Sequence, residues 1–316
     1  MAVCLWKHWV FCCHISNVID RIFAIMHATR TLPRPLKSGD AIQLVAPARF
    51  AVPEVVDVAV EAISRAGFEA IVPEGLVARD GQFGGPDEHR AAELNRAFGD
   101  PAIRAVWAVR GGYGCARLLP QLDAVAFQQD PTWIVGFSDV TALHSWADAQ
   151  GVATMHAPVA STYGKTEAAG QMWSAFKSAS HSVSGIPVVG GNLSVLYSLL
   201  GTPYFPDVRG CWLLLEDLDE YLYHIDRMLC AFRLAGTFAL AHGIVMGSFL
   251  NLHDNTLAFG QSLDNPFCRT LSQMVAEHVP SDKPVLWDVP VGHGTQNQPV
   301  VLGADMILAG SPEPTS

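Results

Sequence analysis

Short apolar runs alternate with amphipathic stretches along most of the chain from Ala41 onward. This alternation is typical of βαβ units, in which a buried strand is followed by a helix and the strands form a mainly parallel sheet. In the first half, the pattern predicts strands at 41–46, 105–109 and 132–135 and helices at 53–66, 86–98 and 139–150. Pro47, Gly67 and Gly151 lie just past the ends of three of these elements, where proline and glycine favour termination.

A second series of the same kind begins at residue 186, after a segment in which the pattern fails. Residues 161–185 are rich in Ser, Gly, Ala and Lys, a composition that predicts a linker or mobile loop. After it, the pattern predicts helices at 192–200 and 223–234 and strands at 211–215, 243–249, 284–287 and 299–308. Because 316 residues are enough for two domains, we predict an N-terminal domain over residues 38–160 and a C-terminal domain over residues 186–312.

The most apolar stretch of the chain lies at its start, but Lys7, Asp20 and Arg21 interrupt it. A membrane span needs about 20 consecutive apolar residues, so we expect none here. A signal peptide is the alternative, with Lys7 as its charged region, but no Ala-x-Ala-like cleavage site follows. We interpret residues 1–25 as an upstream extension without fold information, and the second methionine, Met26, favours a mis-called start.

Composition narrows the class of protein. The chain has 20 Lys and Arg against 30 Asp and Glu, which gives a net charge of −10 at pH 7. This balance speaks against nucleic acid as a partner, because a protein that neutralises phosphates normally presents a basic face. Apolar residues make up 50% of the chain and charged residues 16%, as expected of a folded protein with a large core.

The seven cysteines are an odd number, and most of them are scattered singly. Such scatter suits reduced thiols in a cytoplasmic protein better than a framework of disulfides. Cys12, Cys13 and His14 form a run that is compatible with a metal tract, but no second pair of ligands with zinc-like spacing follows. We therefore expect a cytoplasmic protein and no metal site in this run.

One strand-to-helix turn carries a candidate nucleophile. The predicted strand and helix are joined there by Gly136-Phe137-Ser138-Asp139. A serine on such a turn is exposed at the helix N-terminus, where free backbone N–H groups face the same space, as in the nucleophile elbow of hydrolases. The hydrolase consensus has glycine two residues after the serine, whereas this chain has Val140. On the local pattern alone, an N-cap role for Ser138 or Asp139 remains the alternative.

A second turn is rich in glycine. The strand predicted at 105–109 ends in the turn 110–114, with the sequence Arg-Gly-Gly-Tyr-Gly. The adjacent Gly111 and Gly112 allow backbone N–H groups to point into one cavity, as an oxyanion hole requires. A dinucleotide-binding fingerprint fails here because Arg117 stands where the last glycine is needed. A glycine turn without any ligand role remains the alternative.

A candidate base and a candidate acid lie in the second half. His293 stands between two glycines after the strand predicted at 284–287, a position on an exposed turn that favours a role in a site. Glu216 directly follows the apolar run 212–215, so its carboxylate must be solvated or paired, and a histidine would satisfy it. The alternative for Glu216 is a surface acidic patch with Asp217, Asp219 and Glu220. Other histidines (His144, His156, His242 and His253) are interpreted as helix-face or strand-end residues.

At these residues the chain resembles the serine LD-carboxypeptidase family, which comprises muramoyltetrapeptide carboxypeptidases and their microcin-immunity relatives. The motifs that carry the resemblance follow one another from 41 to 308. They lie at 44–47, 110–114, 136–143, 155–158, 190–193, 201–203, 213–217, 225–229 and 292–293. The family has nothing like residues 1–25.

The resemblance implies a fold and a set of catalytic roles. The fold is α/β, with a flavodoxin-like N-terminal domain related to class I glutamine amidotransferases, a smaller β/α C-terminal domain, and the active site at their interface. The resemblance assigns the nucleophile to Ser138, the orienting acid to Glu216 and the general base to His293. The backbone N–H groups of Asp139 and Gly112 are carried over as oxyanion donors, and no metal or organic cofactor is implied.

The activity implied is release of the terminal D-alanine of a murein tetrapeptide in cell-wall recycling, by a cytoplasmic homodimer. A peptidase that inactivates microcin-like peptide–nucleotide conjugates is an alternative, although the short segment at 161–185 favours muropeptides. A murein-peptide binding protein without catalysis is another alternative. A glutamine amidotransferase is disfavoured because it needs cysteine at the elbow, where this chain has Ser138.

Overall fold

The computed structural model describes residues 30–177, 185–255 and 265–305. The predicted extension at 1–25, the run 12–14, part of the predicted linker (178–184) and the end of the last predicted strand (306–308) lie outside these residues. Within the described ranges, no helix is both long enough and apolar enough to cross a membrane.

Ten strands and ten α-helices make up the described part of the chain, apart from short 3₁₀ turns. The strands are β1 (Ala41–Val45), β2 (Glu69–Ile71), β3 (Ile103–Ala108), β4 (Trp133–Gly136), β5 (Thr154–His156), β6 (Val188–Asn192), β7 (Trp212–Leu218), β8 (Gly243–Leu250), β9 (Val285–Leu286) and β10 (Val300–Leu302). The helices are α1 (Pro53–Arg65), α2 (Asp87–Gly99), α3 (Ala124–Gln129), α4 (Thr141–Ala149), α5 (Ala160–Tyr163), α6 (Gln171–Lys177), α7 (Leu193–Leu199), α8 (Leu222–Leu234), α9 (Thr237–Leu240) and α10 (Leu271–His278).

The first sheet has six strands in the order β10-β5-β4-β3-β1-β2. All neighbouring pairs are parallel except β10 with β5. The order β2-β1-β3-β4-β5 is that of flavodoxin-like folds, in which the chain reverses its direction of winding between β1 and β3. This sheet therefore confirms the predicted α/β class.

Both faces of the first sheet are covered. Every residue of β1 and β3 is buried, as expected for parallel strands with helices on each side. Ile42 and Leu44 belong to one core cluster and Ala41 and Val45 to another, because alternate side chains of a strand point to opposite faces. The carboxyl ends of the strands remain the place where loops can build a site.

The second sheet has four parallel strands in the order β6-β7-β8-β9. Its main core packs helix α8 against β7 and β8, with Leu213, Leu229, Phe232 and Ile244 all fully buried. The predicted helices and strands of this half are present with shifted ends.

The structure corrects the linker predicted at 161–185. Helices α5 and α6 fall within or at the start of that segment, and Met172, Trp173 and Phe176 of α6 are buried in the core of the first sheet. The ring of Trp173 lies 5.5 Å from that of Trp107 on β3. The apolar residues at spacings of one and four form a helical face, which the surrounding Gly, Ser and Ala obscured in the sequence.

The structure also corrects the place of the last predicted strand. The prediction assigned 299–308 to the C-terminal domain, yet β10 pairs with β5 at the edge of the first sheet. Val300 lies opposite His156 in this antiparallel pair. An apolar run predicts a strand but does not encode which sheet edge it joins, because any open edge offers the same backbone groups.

Candidate active site

Ser138 lies at the carboxyl end of β4, in a 3₁₀ turn that leads into α4. Its backbone has φ of +63°, a left-handed conformation that is rare for residues other than glycine and is found in nucleophile elbows. The N-cap alternative is not supported, because Phe137 and Val140 occupy the cap positions and neither makes a side-chain cap bond. The geometry at Ser138 is therefore that of an elbow.

The glycine turn after β3 lies directly against the elbow. A Cβ atom on Gly111 would come within 3.1 Å of Ser138 Cβ and 3.2 Å of its Oγ, so a side chain at this position would crowd the hydroxyl. The turn is tied to the elbow by Asp139, whose buried Oδ2 accepts the N–H of Cys115 at 2.9 Å. Burial raises the pKa of Asp139 above its ordinary value. The structure thus brings Ser138, Asp139 and the turn that contains Gly112 together.

The sequence analysis missed a buried arginine that supports this region. The guanidinium of Arg90, on α2, donates to the carbonyls of Gly85 and Gly114 at 3.1 Å, and also to that of Pro47. It forms an ion pair with Asp87 as well. Arg90 therefore joins the loops that follow β1 and β3. The only signal in the sequence was an arginine on the apolar face of a predicted helix.

Glu216 and His293 form a hydrogen-bonded pair in the second sheet. Nδ1 of His293 lies 2.6 Å from Oε2 of Glu216, at the carboxyl end of β7. Glu216 is 0% exposed, so it does not belong to a surface acidic patch. Burial alone would lower the pKa of His293, but the hydrogen bond and charge of Glu216 outweigh it and raise that pKa. The pair leaves Nε2 of His293 as the nitrogen available to act as a base.

The loop that carries His293 is fixed by its neighbours. Gly294 N–H donates to Ser248 Oγ at 3.0 Å, and Gly292 N–H donates to Asn297 Oδ1 at 3.0 Å. Ser248 lies on β8, next to the strand of Glu216. Neither Ser248 nor Asn297 stood out in the sequence, because a polar residue that only holds backbone has no distinctive pattern.

The two halves meet at Phe137, the residue before Ser138. The ring of Phe137 lies 4.7 Å from the ring of His293, measured between centroids. Close by, the N–H of Asn192 on β6 donates to Thr141 Oγ on α4 at 3.0 Å. Among the described residues, no hydrogen bond joins Ser138 to His293, and catalytic bonds of this kind often tighten only when substrate is bound.

Comparison with known proteins decides the family. Models of the LD-carboxypeptidase N-terminal and C-terminal domains match residues 42–157 and 186–308. A putative carboxypeptidase of Synechocystis is 30% identical over 303 residues, which cover 88% of this chain and 94% of that protein. The chain belongs to the LD-carboxypeptidase family. Another relative, the murein tetrapeptide carboxypeptidase of Pseudomonas aeruginosa, is 28% identical over 298 residues, or 85% of this chain and 93% of that protein.

Solved structures of other proteins share this fold. MccF in complex with glutamyl sulfamoyl guanosine matches with a TM-score of 0.74 and 21% identity, over 86% of this chain and 93% of that chain. The resemblance noted in the sequence is thereby confirmed for family and fold.

Two other histidines of this LD-carboxypeptidase family member lie behind the elbow. His144 and His156 are buried, and burial lowers the pKa of His144 to about 4 and that of His156 well below its ordinary value. Nε2 of His144 lies 2.9 Å from the carbonyl oxygen of Gly136. Both histidines are uncharged at neutral pH, and His144 lies on helix α4 and His156 at the end of β5, as predicted.

Proposed function

We propose that the chain is a serine LD-carboxypeptidase that hydrolyses the L-to-D peptide bond before the terminal D-alanine of a murein tetrapeptide. The observation that carries the proposal is the Glu216–His293 pair, packed through His293 against Phe137, the residue before the strained Ser138. A half-buried serine, a carboxylate and a histidine, which follow one another in that order along the chain, supply the parts of a hydrolase triad. The name of the Pseudomonas aeruginosa relative supports the choice of substrate.

The proposed reaction begins with proton transfer. Nε2 of His293 takes the proton of Ser138 Oγ while Oγ attacks the carbonyl carbon of the L-centre of the third residue. Glu216 accepts a hydrogen bond from Nδ1–H, which stays on the imidazole, and stabilises the imidazolium that forms. His293 then gives its proton to the nitrogen of the departing D-alanine as the C–N bond breaks. A water molecule, activated by His293, hydrolyses the acyl-enzyme and releases the tripeptide.

The oxyanion of each tetrahedral intermediate needs donors beside Ser138. We assign them to the backbone N–H groups of Asp139, in the first turn after the elbow, and Gly112. The N–H groups of the first turn of a helix have no partner within the helix, which leaves them free to bind an anion. Each such donor contributes about 3–4 kcal/mol in comparable sites. All steps use side chains and backbone of this chain, so the proposal invokes no metal or organic cofactor.

The proposal extends to domains, assembly and location. We place the nucleophile in a first domain of residues 38–177 completed by β10, and the acid and base in a second domain that begins at residue 186. The four described cysteines (Cys115, Cys211, Cys230 and Cys268) are free thiols, which supports a cytoplasmic location. We propose a homodimer, to be checked by light scattering during gel filtration.

Mass spectrometry of a murein tetrapeptide incubated with purified protein tests the function. With a metal chelator present, we expect wild type to remove one D-alanine, and Ser138→Ala to lose at least about 10⁴-fold in rate. Ser198→Ala, at an exposed serine whose hydroxyl donates to the carbonyl of Val195, is the matched control and keeps wild-type activity.

Three outcomes would contradict the proposal in different ways. An active, correctly folded Ser138→Ala protein excludes the assigned nucleophile. Cleavage of a peptide–nucleotide conjugate, with no cleavage of the tetrapeptide, supports the conjugate-inactivating peptidase. Tight binding of the tetrapeptide by a folded wild-type protein without turnover supports a binding protein.

A further inference from the structure

Arg49 lies at the point of the first sheet where ligands of flavodoxin-like folds bind. It follows β1, whereas the glycine turn follows the adjacent strand β3. The chain leaves β1 towards one side of the sheet and β3 towards the other, which opens a crevice at their carboxyl ends. Nothing in the triad chemistry accounts for an arginine at this position.

The side chain of Arg49 covers the glycine turn. A Cβ atom on Gly112 would come within 2.5 Å of Cδ and 2.6 Å of Cγ of Arg49, so the arginine stem lies directly over the Gly112 backbone. Gly112 also has φ of +118°, a conformation that favours glycine. The preceding residue, Gly111, faces Ser138 instead. Arg49 and the nucleophile therefore pack against adjacent residues of the turn.

The backbone around Arg49 is fixed by hydrogen bonds, whereas its guanidinium forms no ion pair with a described residue. The residues on either side of it pair with the loop before α2, through Phe50 N–H to Gln82 O at 3.2 Å and Gly84 N–H to Ala48 O at 3.0 Å. Arg49 itself is exposed. Among the residues that the structure describes, no carboxylate forms an ion pair with it.

The neighbouring arginines are engaged differently. Arg90 and Arg117 both form ion pairs with Asp87. Arg79 donates to the carbonyl of Gly81 and lies over the ring of Phe50 at 4.1 Å. Arg110, in the turn itself, likewise forms no ion pair among the described residues and is the competing candidate. Arg49 is favoured because its stem and Nε pack over Gly112 and its guanidinium is left open to an external anion.

We propose that Arg49 binds the free carboxylate of the terminal residue of the substrate. This inference rests on the proposed function, because a carboxypeptidase must distinguish a chain end from an internal residue. The terminal carboxylate lies one residue beyond the scissile carbonyl, and Arg49 packs over the turn residue next to the one that faces Ser138. A guanidinium binds a carboxylate through two parallel hydrogen bonds, with a fixed orientation.

The test compares two peptides that differ only at the chain end, one with a free terminal carboxylate and one with a terminal carboxamide. We expect wild type to prefer the acid in kcat/KM by about 10- to 100-fold, the range for a charge-assisted pair. Arg49→Gln is expected to lose this preference, because the rate on the acid should fall far more than the rate on the amide. Arg49→Lys is expected to keep part of it, and Arg79→Gln, which removes one charge nearby, to keep all of it.

Binding measured by calorimetry in the Ser138→Ala background separates this inference from the proposed function. We expect the acid peptide to bind more tightly than the amide, and Arg49→Gln to abolish the difference. Equal affinities with Arg49 intact, or an equal loss for both peptides on substitution, overturn the role of Arg49 even if wild type is active. The role of Arg49 is also overturned if Arg110→Gln loses the preference for the acid peptide while Arg49→Gln keeps it. Absence of turnover by wild type contradicts the proposed function, while the binding ratio still decides for Arg49.

Discussion

His156 of the first sheet and His293 of the second are both largely buried, but their pKa values are shifted in opposite directions. His156 is fully buried, and among the described residues neither of its ring nitrogens has a hydrogen-bond partner. Burial therefore lowers its pKa well below the ordinary value and keeps the ring uncharged. His293 is also largely buried, yet Glu216 raises its pKa. Burial alone keeps a histidine neutral and without a proton to exchange, whereas a hydrogen-bonded carboxylate raises the pKa of a buried histidine.

The same division applies to the rest of the site. The first sheet supplies shape, through the strained Ser138 and the glycine turn, and its neutral histidines only pack behind them. The second sheet supplies charge, through Glu216. In the proposed mechanism neither half contains a complete catalytic group, and the two halves meet where Phe137 contacts His293.

The largest effect on this comparison is expected from Glu216→Gln. The substitution removes the charge that distinguishes His293 from His156, so kcat/KM should fall by about 10⁴-fold. In wild type, activity requires neutral His293 and is lost as the pH falls through the raised pKa. In Glu216→Gln that pKa falls, so the residual activity should persist to lower pH. A pH profile of kcat/KM for both proteins measures the shift.

Glu220→Gln is the matched control for that experiment. Glu220 Oε2 lies 2.6 Å from His224 Nδ1, the same contact in a partly buried pair that the proposed mechanism does not use. We expect less than about a tenfold change in kcat/KM, because this pair takes no part in the proposed proton transfer. A pH profile of Glu216→Gln that coincides with that of wild type would show that Glu216 does not set the protonation of His293.

A smaller effect separates stability from catalysis within the first sheet. Arg90 and Arg104 are both buried and paired, Arg90 near the carboxyl ends of the strands and Arg104 at the amino end of β3, with Asp130. Replacing Arg90 by Met should lower the free energy of unfolding by about 3–5 kcal/mol, since the groups it binds are left uncompensated. Arg104→Met should cost less, because Asp130 is 45% exposed and water can solvate it. Only Arg90→Met should also lower kcat, on the order of 100-fold, because it displaces the glycine turn.

Urea unfolding and kcat measured on both variants test this distinction. Arg104→Met serves as the control for a generally weakened sheet, and assays below the unfolding transition keep both proteins folded. If Arg104→Met lowered kcat as much as Arg90→Met, the loss would reflect stability, and Arg90 would have no specific role in positioning the turn.

The sequence predicted the parts of the site that sit on ends of strands. Ser138 and Glu216 each follow a buried apolar run, and His293 stands between glycines, so each leaves a local pattern. Pairing of His293 with Glu216, 77 positions apart, was supplied by the family resemblance, because spacing along the chain contains no information on proximity.

The rest of the architecture escaped the sequence for physical reasons. Helix α6 has only seven residues and β5 only three, too few for a periodic pattern to exceed its surroundings. Arg90 was hidden because a buried arginine and an exposed one look alike in a helix pattern until the carbonyls it binds are known. The edge taken by β10 depends on tertiary pairing alone.

The smallest expected effect is on the pH dependence of the free energy of unfolding, to which His144 of the first sheet contributes. Burial lowers the pKa of His144 to about 4, against an ordinary value of 6.5. Its contribution is therefore fully present above pH 6.5 and is lost as the pH falls towards 4, because only the unfolded chain takes up the proton. By pH 5 the loss amounts to about 2 kcal/mol. His293, with its raised pKa, acts in the opposite direction, stabilising at low pH and losing this contribution as the pH rises through that pKa.

Urea unfolding at pH 7 and pH 5 measures the difference. His144→Gln keeps a donor for the carbonyl of Gly136 but does not titrate, so it should lose about 2 kcal/mol less than wild type between the two pH values. Ser145→Ala, the next residue on α4, removes a buried hydroxyl without changing titration and should keep the wild-type difference. An identical pH difference in His144→Gln and wild type would mean that His144 takes up its proton in the folded protein, and that burial in this sheet does not suffice to keep a histidine neutral.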